Sequence, residues 1–138
     1  MHRIKLANDD DEEQVRRGFL AADRVRSAEV EAVVSARPTM LVLPEDVVSR
    51  LGLRRQGLRK ARYADGRIAE LAWVAGIRIT LLGRDAIVNA LVEAAETTPV
   101  IGHIPLTALD LRVDPESGEL RVDPDSPNEP LFDALSAA

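Results

Sequence analysis

A serine nucleophile needs a neighbouring base, and the chain offers only two histidines, His2 at the N-terminal end and His103 beside Gly102. Acids are plentiful, but the densest group, Asp9, Asp10, Asp11, Glu12 and Glu13, is a consecutive run. On a helix such a run fans out around the axis and cannot converge on one metal ion. Cysteine is absent, which excludes disulfides and thiolate metal sites. There is no zinc spacing, calcium loop or phosphate-cradling glycine loop, so no cofactor is implied. The remaining candidate is electrostatic: Arg54, Arg55, Arg59, Lys60 and Arg62, with Tyr63 as the one nearby ring that could stack a base. A net charge of −5 and a sequence pI near 5.1 argue against a polyanionic partner, and the cluster reads as the solvated face of a hairpin.

The elements that must position any site are organised around residues 33–53, VVSARPTMLVLPEDVVSRLGL. A β-branched approach breaks at Ser35-Ala36-Arg37-Pro38, a second apolar run covers residues 39–43, and a short helix follows. Pro44 suits the first helical position, Glu45 and Asp46 the positive N-terminal end, and Gly52 a left-handed exit. The predicted order is strand, tight loop, strand, helix.

That order, with L-P-E-D-V at residues 43–47 and L-G-L at 51–53, resembles the bacterial retropepsin-like aspartic proteases of clan AA. Val34 and Thr39 match the family pattern, and residues 41–53 match almost throughout. The catalytic triplet does not: where the family has Asp, Thr and Gly, this chain has Ser35, Ala36 and Arg37, followed by Pro38. A second, weaker signature, two apolar residues and a glycine before a short helix, matches Val100-Ile101-Gly102 and a helix at residues 105–109.

The rest of the chain reads in short elements. Residues 3–6 suit a strand and residues 8–17 a short helix, with acids at its front, arginines at its back and Gly18 just beyond. Period-two alternation over residues 25–34 puts Ala28, Val30, Ala32 and Val34 on one face. Asp65-Gly66 joins strands at 59–64 and 67–75 as a hairpin, which the resemblance places where retropepsins carry a flap over substrate. Gly76 separates a further strand at 77–82, Gly83-Arg84-Asp85 is a turn, and residues 86–92 suit a buried strand. Trp73 is expected in the core, and residues 111–113 and 120–122 flank a tight turn.

The expected fold class is therefore all-β in the main, a retropepsin-like acid-protease barrel lobe with two or three short helices over residues 1–122. Residues 123–138 form an acidic, proline-containing tail expected to be disordered, with Leu131, Phe132 and Leu135 as a possible small anchor. At 138 residues one domain can hold its own core, which at 3% aromatic content must be aliphatic. The N-terminus has no apolar core of signal-peptide length and no apolar run is long enough to span a membrane, so a cytoplasmic protein without membrane or nucleic-acid partners is expected.

Retropepsins supply one catalytic Asp per chain and pair two across a two-fold axis, with one proton shared between the carboxylates. The resemblance thus implies a homodimer, and the loss of the acid implies no catalytic residue. The positions expected to line a cleft are Ser35, Arg37, Thr39, Asp65, Gly66, Ile101 and Gly102, with a peptide or protein as ligand. Ser35 cannot take a proton from water unaided, Ala36 lacks the bracing hydroxyl, and Arg37 replaces a glycine with a long charged side chain. Ser35 with His103 is the remaining nucleophile pair. The expected function is an inactive, dimeric binding or assembly module. The alternatives are a peptidase using an unrecognised group or a dead half-site that regulates an active relative.

Overall fold

In the computed structural model, which describes residues 1–134, strands dominate and three short helices decorate them. The chain runs β1 (His2–Asn8), α1 (Asp9–Arg16), β2 (Ser27–Val34), β3 (Leu41–Pro44), α2 (Glu45–Arg50), β4 (Arg55–Arg62), β5 (Ile68–Leu81) and β6 (Arg84–Glu93). It ends with β7 (Val100–Ile101), α3 (His103–Ala108), β8 (Leu111–Val113) and β9 (Leu120–Val122). The main sheet has the order β1-β2-β7-β3-β6-β5-β4, and β1 also pairs with β5. Six strands therefore close into a ring, leaving β4 hanging outside it on β5. Closure removes the free edges that an open sheet would present. The hairpin β8-β9 forms a separate two-stranded sheet.

Inside the ring lies an aliphatic core that includes Ile4, Leu6, Leu41, Leu43, Leu51, Val74, Ile77, Ile79, Ile101 and Leu109, with no aromatic side chain among its buried members. The alternation expected of β2 is present: Ala28 and Ala32 are buried while Glu29 and Glu31 face out. No helix among the described residues is long and apolar enough to cross a membrane.

α1 forms for local reasons. Asn8 caps it by accepting the amide of Asp11 at 3.0 Å, four acids occupy its first turn, Arg16 its last, and Gly18 leaves in the left-handed region at φ +80°. The same Asn8 donates from Nδ2 to the carbonyl of Leu51 at 2.9 Å, fastening this cap to the end of α2. Asp11 accepts Nε, Nη2 and the backbone amide of Arg26 at 2.8, 2.9 and 2.9 Å. The Arg26 side-chain hydrogen bonds hold the Asp11 carboxyl below its ordinary range.

Because the folded-state pKa lies below the unfolded one, this pair adds stability that is complete above about pH 4 and disappears as pH falls through the depressed value. Asp11→Asn is expected to lower stability at neutral pH by about 1–2 kcal/mol and to flatten the acid limb of the profile. Urea midpoints measured from pH 7 down to pH 2 check both, and an unchanged acid limb in the variant counts against the pair.

Several sequence expectations shift. β2 starts at Ser27, not at residue 25, and β3 starts at Leu41, after bends at Thr39 and Met40. Pro44 ends β3 and stands as the extended N-cap of α2, since its ring fixes φ without committing ψ to the helix. α3 spans His103–Ala108 and so begins two residues before the expected start. Gly76 does not break the strand: Val74 pairs with Ala90 and Ile77 with Val88, so residues 75 and 76 bulge against Asn89 while Gly76 takes φ +76°. The extra residue switches the inward parity from Val74 to Ile77, Ile79 and Leu81, leaving Trp73 on the opposite face from Val74. Trp73 is consequently half-buried, with the Arg59 guanidinium 4.4 Å from its ring centroid, and does not belong to the core.

Arg84 and Asp85, expected in a turn, are the first paired residues of β6, and only Leu82 and Gly83 turn the chain. In the C-terminal segment, Leu131 and Phe132 are 58% and 61% exposed and make no apolar anchor; Leu135 lies outside the described residues. The contacts of that segment are polar instead. Asp110 accepts the Ser126 hydroxyl at 2.6 Å and the Leu131 amide at 3.0 Å, and the buried Arg84 guanidinium donates to the Ser126 carbonyl.

Candidate functional site: the loop between β2 and β3

Topology dictates where this loop lies. β7 runs parallel to β2 and antiparallel to β3. The end of β2 and the start of β3 are therefore both adjacent to the C-terminal end of β7, and residues 35–40 must arch over it. The residue under the arch is Gly102. A Cβ built there would fall far inside van der Waals contact with the carbonyl oxygens of Pro38 and Met40 and would lie 2.8 Å from the Pro38 carbonyl carbon. Gly102 has φ −85°, so close approach, not conformation, is what demands a glycine.

Backbone hydrogen bonds complete the clasp. The Ser35 amide donates to Ile101 O at 3.1 Å, and the amides of His103 and Ile104 donate to Pro38 O and Thr39 O, each at 2.9 Å. The first turn of α3 thus uses two of its free amides to hold the loop, which satisfies donors that a helix start leaves without intrahelical partners. These contacts bring Ser35, Thr39, Ile101 and Gly102 together. Ser35 is half-buried, and Ala36, Arg37 and Thr39 are exposed.

The side chains carried by the arch determine its chemistry. Ser35 Oγ accepts the Arg37 amide at 3.3 Å and has no hydrogen bond to His103, which sits exposed at the first position of α3. Among the described residues no histidine is hydrogen-bonded to the hydroxyl. Arg37 makes no ion pair among the described residues, while Asp123 of the C-terminal segment lies 3.5 Å from Arg112. Asp46, on α2, accepts the Glu96 amide at 3.0 Å and so braces the β6–β7 connection.

Asp65 and Gly66 are placed at the tip of the β4–β5 hairpin. Asp65 accepts the Arg67 amide at 2.9 Å and Gly66 takes φ +87°, the conformation that its turn requires. Tyr63 reaches from this tip to Glu93, its hydroxyl donating to Oε2 at 2.8 Å, and that bond with the carboxylate raises the Tyr63 pKa. Among the described residues no hydrogen bond or ion pair joins Asp65 or Gly66 to residues 35–40. The hairpin tip is docked on the end of β6 through the bond between Tyr63 and Glu93.

Sequence reasoning overlooked two features beside this site: the amides of α3 that hold the arch, and the exposed apolar residues Val33 and Ile104 flanking it, at 36% and 47% exposure. The parity of β2 already placed Val33 outside. No group of three or more metal-ligating side chains converges among the described residues. Comparison of the chain with protein-family models and with curated proteins finds no match.

Proposed function

We propose that this chain is a retropepsin-like lobe with a dismantled catalytic loop, acting as a dimeric peptide- or protein-binding and assembly module and not as a peptidase. One observation carries the reading: the arch over Gly102 is held by three backbone hydrogen bonds, yet it presents Ser35, Ala36 and Arg37 and no carboxylate. A rigid loop of this kind suits recognition, whereas proton-sharing acid–base chemistry needs two carboxyl groups at the point where the loops of two copies meet. Val33 and Ile104 beside the arch supply the apolar surface on which a second copy would pack.

Incubation of the pure protein with unfolded protein substrates from acidic to neutral pH is expected to give no cleavage. Ser35→Asp alone is expected to restore none, because Ala36 still lacks the bracing hydroxyl and Arg37 still occupies the glycine position. Pepstatin-sensitive cleavage by the unmodified protein overturns the reading. Light scattering at micromolar concentration is expected to give the mass of a dimer, and a monomer mass rejects the two-fold pairing.

A further inference from the structure

We infer that the free edge of β4 is a docking site for an acidic, extended segment of a partner protein, added to the sheet as one more strand. β4 is paired to β5 and independent of the loop between β2 and β3. β4 is the terminal strand of the main sheet, paired only with β5 and lying outside the closed ring. Seven of its eight residues are exposed and the eighth, Ala61, is half-buried, so neither face of the strand is covered. A strand edge of this length carries backbone donors and acceptors that a further strand can satisfy.

Charge selects the occupant. Residues 54–67 hold six cations and one carboxylate, a net +5 within a chain of net −5. Asp65 is taken up by its own turn, and Arg55 pairs with Glu45 on α2. Arg54, Lys60 and Arg62 make no ion pair among the described residues. Pairing β4 with β4 of a second copy would bring these cations against one another. The chain's own acidic tail is also a poor strand, since Pro124, Pro127 and Pro130 remove ladder donors every third residue. Nucleic acid fits less well than peptide: the Trp73 ring is covered by Arg59 and the Tyr63 ring by Arg67, at 4.4 and 4.1 Å to the centroids, so neither offers a free stacking platform. A long polyanion would also run from the hairpin onto an acidic body.

The register gives a pattern. Leu58, Lys60 and Arg62 share one face of β4, and Leu58 is 60% exposed. An antiparallel partner strand would place carboxylates opposite Arg62 and Lys60 and an apolar residue opposite Leu58, reading acid-x-acid-x-apolar from its N-terminus.

The probe is the acetylated, amidated peptide Thr-Thr-Glu-Thr-Glu-Thr-Val-Thr-Thr, titrated into the full chain. The fluorescence of Trp73, the only tryptophan, and backbone amide shifts serve as readouts. Saturable binding is expected, with shifts concentrated in residues 55–62. Affinity is expected to fall at least tenfold in K60E/R62E, whose substituted side chains are exposed and whose fold circular dichroism verifies. A same-composition peptide with adjacent glutamates, which a strand would point to opposite faces, is expected to bind at least tenfold more weakly. Equal binding of the two peptides, no loss in the charge-reversed variant, or no saturation at millimolar peptide overturns the inference. Tighter binding of an oligothymidylate than of the peptide also overturns it, in favour of a nucleic-acid surface.

Discussion

Replacing Arg84 with alanine is expected to destabilise the protein by about 3–5 kcal/mol, the range for removing one partner from a buried charged network. Arg84 is 2% exposed at the start of β6, and its guanidinium reaches three carbonyls on two other segments. Nη1 donates to Leu109 O at 3.2 Å and Asp110 O at 2.8 Å, while Nη2 donates to Ser126 O. The Asp110 carboxylate, 3.6 Å away, balances the charge. Truncation leaves these acceptors unpartnered where water is scarce, and an unsatisfied buried polar group costs about 1–3 kcal/mol. It also leaves a cavity where the side chain lay. Arg84→Lys keeps the charge but not the planar fork, and is expected to recover only part of the loss.

The same network explains how the C-terminal segment is held, which gives a second readout. Asp110 sits in the left-handed region at φ +54°, directing its carboxylate to Ser126 and Leu131, and these bonds hold it below the ordinary carboxylate range. Removing residues after Val122 takes away one of the three Arg84 acceptors and both of those Asp110 donors. Truncation and Arg84→Ala should therefore be non-additive, since they delete parts of one network. Urea denaturation of the single and double variants measures this coupling. Strict additivity would show that arginine and tail act separately.

How much of this could be read in the sequence follows from the range of each interaction. α1, the exit at Gly52 and the Asp65-Gly66 turn depend on neighbours in sequence, and propensity and capping rules place them. The mainly β character and the aliphatic core followed from composition and alternation. The signal for Arg84 was also present: Ala86, Val88, Ala90 and Val92 set an inward parity for β6 that places position 84 inside. The turn composition of Gly83-Arg84-Asp85 masked it, because a buried arginine is uncommon enough that local punctuation outweighed periodicity. Trp73 was misplaced because its face depends on the bulge at residues 75 and 76, and bulge position is fixed by pairing with β6, not by local preference.

The site divides in the same way. The proximity of Gly102 to the loop was expected only through the family resemblance, since residues 38 and 102 are far apart in sequence and composition gives no hint of their contact. The docking of the hairpin tip on β6 could not be read, as it depends on the side-chain bond between Tyr63 and Glu93, 30 residues apart. The edge character of β4 was half legible. Its cations marked a solvated face, while its place outside the ring depends on β1 closing onto β5.

Gly102→Ala is expected to cost about 3 kcal/mol, at the upper end of what overpacking by a single methyl produces. The clash is with backbone: the Pro38 and Met40 carbonyls stand over the Cα of Gly102, and the arch cannot lift without losing the bonds from Ser35, His103 and Ile104. A control separates sterics from glycine entropy. A Cβ at Gly57 would meet only Trp73 Nε1 at an ordinary 3.4 Å, so Gly57→Ala is expected to stay within about 0.5 kcal/mol of the parent or to stabilise it slightly. If the arch relaxes instead of resisting, part of the cost will be missing from the urea midpoint but will appear in hydrogen exchange, where the His103 and Ile104 amides should lose protection while core amides such as Leu43 keep theirs. A Gly102→Ala variant as stable as Gly57→Ala, with both amides still protected, would mean that the loop does not cross where the geometry puts it, and the binding role assigned to a rigid arch would fall with it.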